Sequence, residues 1–238
     1  MKALIFDCDG VLVDTEKDGH RVAFNEAFKQ AGLDVSWSVE LYGELLKIAG
    51  GKERMTHYFD THGWPAGHTA ETLIPELHKR KTAIFQELIA TGKLPLRPGI
   101  VRIIDEARAA GIRLAVCTTS HKDSVNGVLD LMGPERKSAF EHVLAGDVVK
   151  KKKPDPEIYE LAKQRLGLKA AECVVIEDSR NGLLSATGAG MPCVITTSTY
   201  TVDEDFHEAA LVVPELGDPP NVRVSLKDLQ AIAAQRAA

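Results

Sequence analysis

The sequence predicts an α/β protein: a parallel β-sheet covered on both faces by helices, with a block of helices inserted after the first strand. Three observations predict it. Short aliphatic runs of strand length alternate with amphipathic segments of helix length, the pattern of a sheet whose crossovers are helices. That alternation is suspended between about residues 15 and 93, where helical patterns follow one another with no convincing strand. The ends of four predicted strands carry carboxylates, hydroxyls or a lysine, where parallel sheets bind ligands.

The first strand is Ala3-Leu4-Ile5-Phe6, and Asp7-Cys8-Asp9-Gly10 follows at once. Carboxylates one residue apart would point to opposite sides if the strand continued. Gly10 lets the backbone turn sharply, so Asp7 and Asp9 can converge on one small volume. Carboxylates held close repel each other unless a cation or a shared proton intervenes. The pair therefore reads as a Mg²⁺ site, with one Asp free to attack and the other free to move a proton. Helical patterns follow at 18–31, with Val22, Phe24, Ala27 and Phe28 apolar, then at 38–49, 52–62 and 70–91. Pro95 and Pro98 in LPLRPG mark the return to the sheet. The expected division is a core of residues 1–14 and 94–238 and a helical cap of residues 15–93. Two crossings between the same pair of domains make a natural hinge.

Within the core, a helix at 99–110 places Ile100, Ile103, Ile104 and Ala107 on one face. Another at 155–166 does so with Ile158, Leu161, Ala162 and Leu166, with Asp155 and Pro156 suiting the N-cap and first turn. Strands are expected at 112–117, 142–145, 173–176, 192–196 and 210–213. Together they make a Rossmann-like core.

Composition sets the outer limits. Apolar content is 44% of 238 residues and the formal net charge is −5, so neither nucleic acid nor a membrane surface is an expected partner. An anionic substrate would be drawn by a local basic cluster. Cys8, Cys117, Cys173 and Cys193 lie in or beside strand-like runs without CxxC spacing, which predicts reduced, buried thiols in an intracellular protein. Asp7 interrupts the first apolar run too soon for a signal peptide. The expected location is the cytoplasm, or a plastid stroma if a transit peptide has been removed, and the expected state is a monomer.

The strand ends carry one reaction's inventory. Asp7 and Asp9 follow the first strand; Thr118-Thr119-Ser120 follows 112–117; Lys150-Lys151-Lys152-Lys153-Pro154 comes after 142–145; Glu177-Asp178-Ser179 ends 173–176. Metal-binding carboxylates, hydroxyls for phosphate oxygens and a lysine suit phosphoryl transfer, where positioning and charge neutralisation do most of the work. Ser120 with Asp123 also has the look of a helix N-cap. Lys153, beside the rigid Pro154, is the lysine singled out; the others read as solvent-facing charge. The cap has its own polar set: Glu16 and His20 beside the hinge, Tyr42, Gly50-Gly51-Lys52-Glu53-Arg54, and His78-Lys79-Arg80-Lys81. Gly50-Gly51 ahead of a helical pattern leaves backbone N–H groups free to hold an anion, and Lys52 and Arg54 add charge. An anion there would make the substrate a bisphosphate.

The ordered set DCDGVLVD, TTS, KKP and EDS, with a helical insertion after the first, resembles the haloacid dehalogenase superfamily of phosphohydrolases over nearly the whole chain. The resemblance implies that Asp7 is the nucleophile forming an aspartyl-phosphate, and that Asp9 protonates the leaving oxygen and then activates water. It implies that Thr118 and Lys153 hold the phosphoryl group. Mg²⁺ would be bound by Asp7, Asp178 and the Asp9 backbone carbonyl, with Glu177 supporting from behind. Val11 stands where this motif commonly has Thr. The segments EKDGHRVAFNEAF, LYGELLKIAGGKERM, HKRK and KKKKPDPEIY resemble the CbbY subgroup, which dephosphorylates xylulose 1,5-bisphosphate, an inhibitor of Rubisco in the Calvin cycle. By that resemblance Glu16, His20, Tyr42, Gly50, Gly51, Lys52, Arg54, His78 and Lys81 contact the sugar bisphosphate, with Thr119 and Ser120 from the core. Two rivals stand: a β-phosphoglucomutase-like mutase with the same motifs, and a non-catalytic binding or regulatory protein of this fold. The last would be expected to lack Asp7, Asp9 or Asp178, and all three are present.

Overall fold

The computed structural model describes residues 1–237. In chain order the elements are β1 (Ala3–Phe6), α1 (Arg21–Gln30), α2 (Val39–Leu45), α3 (Gly51–His62), α4 (Ala70–Ala90), α5 (Ile100–Ala109), β2 (Arg113–Thr118), α6 (Lys122–Asp130), α7 (Pro134–Lys137), β3 (Phe140–Ala145), α8 (Glu157–Leu166), β4 (Cys173–Glu177), α9 (Arg180–Gly188), β5 (Cys193–Thr196), β6 (Leu211–Val213) and α10 (Leu226–Ala237). The strands form one parallel sheet in the order β3-β2-β1-β4-β5-β6. Among the described residues, no helix is long and apolar enough to cross a membrane.

The two-residue period of β1 explains its central place. Leu4 and Phe6 join the apolar cluster built with Ile103, Ile104, Val125 and Val128, whereas Ala3 and Ile5 join Ile158, Tyr159, Leu183 and Ala186 in a second cluster. Every residue of β1 is fully buried, so the strand has no solvent face. Pairing of Phe6 with Val116 on one side and Ile176 on the other brings Asp7, Thr118, Glu177 and Asp178 to the C-terminal end of the sheet. The helices between β1 and α5 have a separate core of Phe24, Phe28, Trp37, Tyr42, Met55, Phe59 and Leu77. Each such side chain contributes about 1.5–3 kcal/mol on full burial.

Two local differences from the expected boundaries matter. The first helix of the insertion begins earlier than residue 18, with a π-turn over Glu16–His20 in which Thr15 O accepts from both Gly19 N at 3.0 Å and His20 N at 2.7 Å. This wider turn re-aims one residue of an otherwise amphipathic helix. The helix expected at 155–166 starts at Glu157: Pro156 takes the N-cap position, and Asp155 Oδ1 accepts from Glu157 N at 3.0 Å.

Candidate active site

The loop after β1 carries Asp7 and Asp9 in different directions. Asp7 stays at the C-terminal end of the sheet, where its Oδ1 accepts from Lys153 Nζ at 2.6 Å. Lys153 also donates to Cys117 O at 2.9 Å and to Glu177 Oε1, which accepts from the Tyr159 hydroxyl as well. Burial would lower the Lys153 ammonium, but Asp7 and Glu177 outweigh it and hold the group charged. Asp178 joins Asp7 and Glu177 so closely that one oxygen of each lies within 4.8 Å of the others. Burial raises Asp7 and Asp178 well above the usual carboxylate range, and their mutual repulsion with Glu177 adds to it. Three buried carboxylates against one lysine leave negative charge uncompensated, and the donors are all oxygen. That set fits a hard divalent cation.

Gly10 makes this crowding possible. Its φ is +78°, and a Cβ there would lie 2.0 Å from Asp178 Oδ2, so the position demands glycine for both turn and space. The Ser198 hydroxyl fixes that same Asp178 oxygen at 2.7 Å.

Asp9 turns towards the helical insertion. Its Oδ1 accepts from Thr15 Oγ1 at 2.5 Å and lies 2.8 Å from His20 Nε2; its Oδ2 accepts from the Ser120 hydroxyl. Lys81 Nζ lies 2.7 Å from His20 Nδ1. An ammonium has only donors, so Nδ1 presents its lone pair and Nε2–H donates to Asp9. The His20 ring stacks on Phe85 with centroids 3.9 Å apart. Burial alone would raise Asp9, but His20, Ser120 and Thr15 together hold it well below the usual carboxylate range. Asp9 is therefore held ionised. Burial pushes Lys81 down to about 8.

One cavity lies between the C-terminal end of the sheet and the helical insertion. Lining it are Asp7, Asp9, Glu16, His20, Gly50, Gly51, Arg54, His78, Lys81, Thr118, Thr119, Ser120, Lys153, Glu177 and Asp178. Tyr42 and Lys52 do not line it. Tyr42 is fully buried behind it, donating to Glu16 Oε2 at 2.5 Å and accepting from Arg54 Nη1 at 2.9 Å. Lys52 turns outward from the start of α3 and pairs with Asp147 of the core, whose other oxygen accepts from Lys152 at 2.9 Å. Arg54 lines the wall but spends donors on Tyr42 and on Leu45 O at 3.1 Å.

Sequence reasoning missed several contributors. His121 packs edge to face on His78, with ring centroids 5.5 Å apart, and both line the cavity. Burial, then Lys81, His121 and Lys52, push His78 down to about 3, so it is neutral near pH 7. Ser120, read in part as a helix cap, instead bonds Asp9; the ring of His121 occupies the N-cap of α6. Thr15, Tyr159 and Ser198 hold three carboxylates of the site, those of Asp9, Glu177 and Asp178. For Ser198 a signal existed, since TTSTYT is a hydroxyl-rich segment at a strand end.

A family model for haloacid dehalogenase-like hydrolases matches residues 1–190. A CBBY-like protein of Arabidopsis thaliana is 53% identical over 230 residues, covering 94% of this chain and 72% of that one. The plasmid CbbY of Cupriavidus necator is 44% identical over 223 residues, 92% of this chain and 87% of that one. The crystal structure of Rhodobacter sphaeroides CbbY in complex with xylulose 1,5-bisphosphate superposes with a TM-score of 0.88 at 39% identity, covering 96% of this chain and 99% of that one. With motifs, sheet order and relatives in agreement, the chain belongs to the haloacid dehalogenase-like hydrolases, in their CbbY-like branch.

Proposed function

We propose that the protein is a magnesium-dependent phosphatase that converts xylulose 1,5-bisphosphate to xylulose 5-phosphate and phosphate, removing a Rubisco inhibitor, with residues 15–93 acting as a cap over the core of 1–14 and 94–238. One observation carries it: a single cavity has anion-accepting groups at both ends. Lys153 and Thr118 stand at the core end; Gly50-Gly51 at the start of α3, with His78 and His121, stand at the other. The complex of the Rhodobacter relative supplies the sugar's identity.

In this reading Asp7 attacks phosphorus and carries the phosphoryl group as an acyl phosphate, while Lys153 and Thr118 take the charge of its non-bridging oxygens. Asp7 and Asp178, with the Asp9 backbone carbonyl, would hold magnesium, which supplies the positive charge that lets a phosphate dianion approach a carboxylate. Glu177 keeps Lys153 aimed. Asp9, ionised as it is held here, takes a proton from the water that hydrolyses the acyl phosphate. Protonating the sugar oxygen in the first step requires Asp9 to carry a proton, so substrate must first displace some of its donors. His20 and Lys81 come from the inserted helices, so opening the cap withdraws them and couples closure to the state of Asp9.

The test is phosphate release with magnesium over sugar mono- and bisphosphates, including xylulose 1,5-bisphosphate and β-glucose 1-phosphate. A strong preference for the pentulose bisphosphate is expected. Equal release from many monophosphates would refute the substrate, and isomerisation without phosphate release would make the protein a mutase. His121→Ala should raise KM for the bisphosphate and leave that for simple monophosphates unchanged.

A further inference from the structure

Arg97 lies in the LPLRPG segment, which the sequence marks only as a boundary between domains. Its guanidinium is half-buried and meets four backbone carbonyls from three separate places. Nη1 donates to Gly10 O, in the loop after β1, and to Thr196 O at 3.1 Å. Nη2 donates to Thr197 O at 2.7 Å and to Pro214 O, beyond β6, at 2.5 Å. The backbone of the same segment is tied to that loop: Arg97 N donates to Leu12 O at 2.9 Å, and Leu96 bridges Val13 in antiparallel fashion.

Three of the four carbonyls that Arg97 gathers belong to the two loops that shape the catalytic centre. Gly10 follows Asp9 and lies against Asp178. Thr196 and Thr197 lead into Ser198, whose hydroxyl holds Asp178. At the end of a sheet these carbonyls have no next strand to accept from, and leaving them unpaired near a closed cavity is costly. A planar, permanently charged fork with five donors is the one side chain that satisfies several at fixed angles.

We propose that Arg97 is a positioning residue of the hydrolytic reaction: by clamping the Gly10 loop to the 196–198 loop it fixes Asp9 and Asp178 relative to Asp7. It touches no substrate, and its effect falls on the chemical step. The proposal rests on phosphate-ester hydrolysis at Asp7 and is independent of which sugar is bound.

Full-length Arg97→Ala and Arg97→Lys are assayed with magnesium on 4-nitrophenyl phosphate, which reports on the catalytic centre whether or not the bisphosphate assignment holds. Arg102→Ala is the matched control. Arg102 also clamps carbonyls, those of Leu216, Gly217 and Val224, but whereas Gly10 and Thr197 adjoin Asp9 and Ser198 of the cavity wall, none of Arg102's carbonyl partners is next to a cavity residue. A misplacement of the loop by about 1 Å predicts a kcat loss on the order of 10- to 100-fold in Arg97→Ala, with KM nearly unchanged. Arg97→Lys should retain part of the rate, and millimolar guanidinium should raise the rate of Arg97→Ala without affecting the wild type. Arg102→Ala should lower the melting temperature and leave kcat intact. If folded Arg97→Ala keeps its kcat, or loses rate that neither lysine nor guanidinium restores, the proposal is wrong. Should the alanine variant fail to fold, Arg97→Lys decides: a kcat equal to that of the wild type overturns the positioning role.

Discussion

Replacing Gly182 by alanine sets helix propensity against local crowding. Gly182 lies in the first turn of α9, where its N–H donates to the capping Ser179 hydroxyl, and propensity alone predicts a gain of up to about 0.5–1 kcal/mol, because glycine loses the most backbone freedom on folding. The structure reverses the sign. A Cβ at Gly182 would lie 1.9 Å from Glu177 Oε2 and 2.0 Å from its Cδ. Glu177 cannot step aside cheaply. It is fully buried, its Oε1 accepts from Lys153 and Tyr159, and its Oε2 accepts from Asp178 N at 3.3 Å. Overpacking costs about 1–3 kcal/mol, and a disturbed bond to a buried ammonium adds about 1.5–3 kcal/mol. The net expectation is a loss of roughly 2–4 kcal/mol, or about 5–15 °C in Tm for a chain of this size. Because Lys153 also holds Asp7, kcat should fall with stability. Gly127→Ala in α6 is the control: its Cβ would meet only Ile89 Cγ2, at an ordinary 3.7 Å, so a gain of about 0.4–1 kcal/mol is expected. Thermal melts of both variants, with phosphate-release rates at 25 °C, check the argument. A Gly182→Ala protein as stable and as active as the wild type would refute it.

Other outcomes follow from the same geometry. Asp7→Asn should abolish turnover while circular dichroism stays native; full activity would remove the covalent route. Lys81→Met should stabilise the protein near pH 7 by roughly 3 kcal/mol, the cost of holding a buried lysine at about 8 rather than 10.5. A lowered lysine is a burden while protonated, and the folded state sheds its proton first. Wild-type stability should therefore recover as pH rises from about 8 to 10.5 and the advantage of Lys81→Met should disappear; a gap independent of pH would contradict this. The same variant should be slow, because His20 loses its partner at Nδ1. Ser198→Ala frees Asp178 from its hydroxyl donor, so the magnesium needed for half-maximal rate should rise about 10- to 100-fold with the rate at saturating metal little changed; an unaltered metal requirement would assign Ser198 to the loop alone.

Residues that declared themselves in the sequence are those whose role follows from their place on an element. Ala3–Phe6 reads as a buried strand because its neighbours along the chain are apolar, and Asp7, Thr118, Lys153 and Asp178 follow because ligands gather where parallel strands end. Those four line the cavity. Residues whose role the sequence leaves open depend on contacts across the fold. Lys52 reads as added charge at the Gly50-Gly51 anion site, and the resemblance makes both it and Tyr42 substrate contacts; in the structure Tyr42 supports Glu16 and Arg54 from behind and Lys52 pairs with Asp147 at the rim. By spacing alone His20 is a polar residue beside the hinge, and its contact with substrate is what the resemblance implies. The π-turn at Glu16–His20 aims it at Asp9, and Lys81, sixty-one positions away, fixes its tautomer.

By itself, then, the sequence determined the sheet, the helical insertion and the identity of the polar groups at the strand ends that line the cavity, because alternation, turn chemistry and strand ends are local properties of the chain. Only the tertiary structure decided the directions of Asp7 and Asp9, the carboxylate cluster around Lys153, and the joining of Gly10 to Thr196, Thr197 and Pro214 through Arg97. The reason is physical: charge state and hydrogen-bond partner depend on distances of a few ångströms between residues far apart in the chain, and packing, not neighbouring sequence, sets those distances.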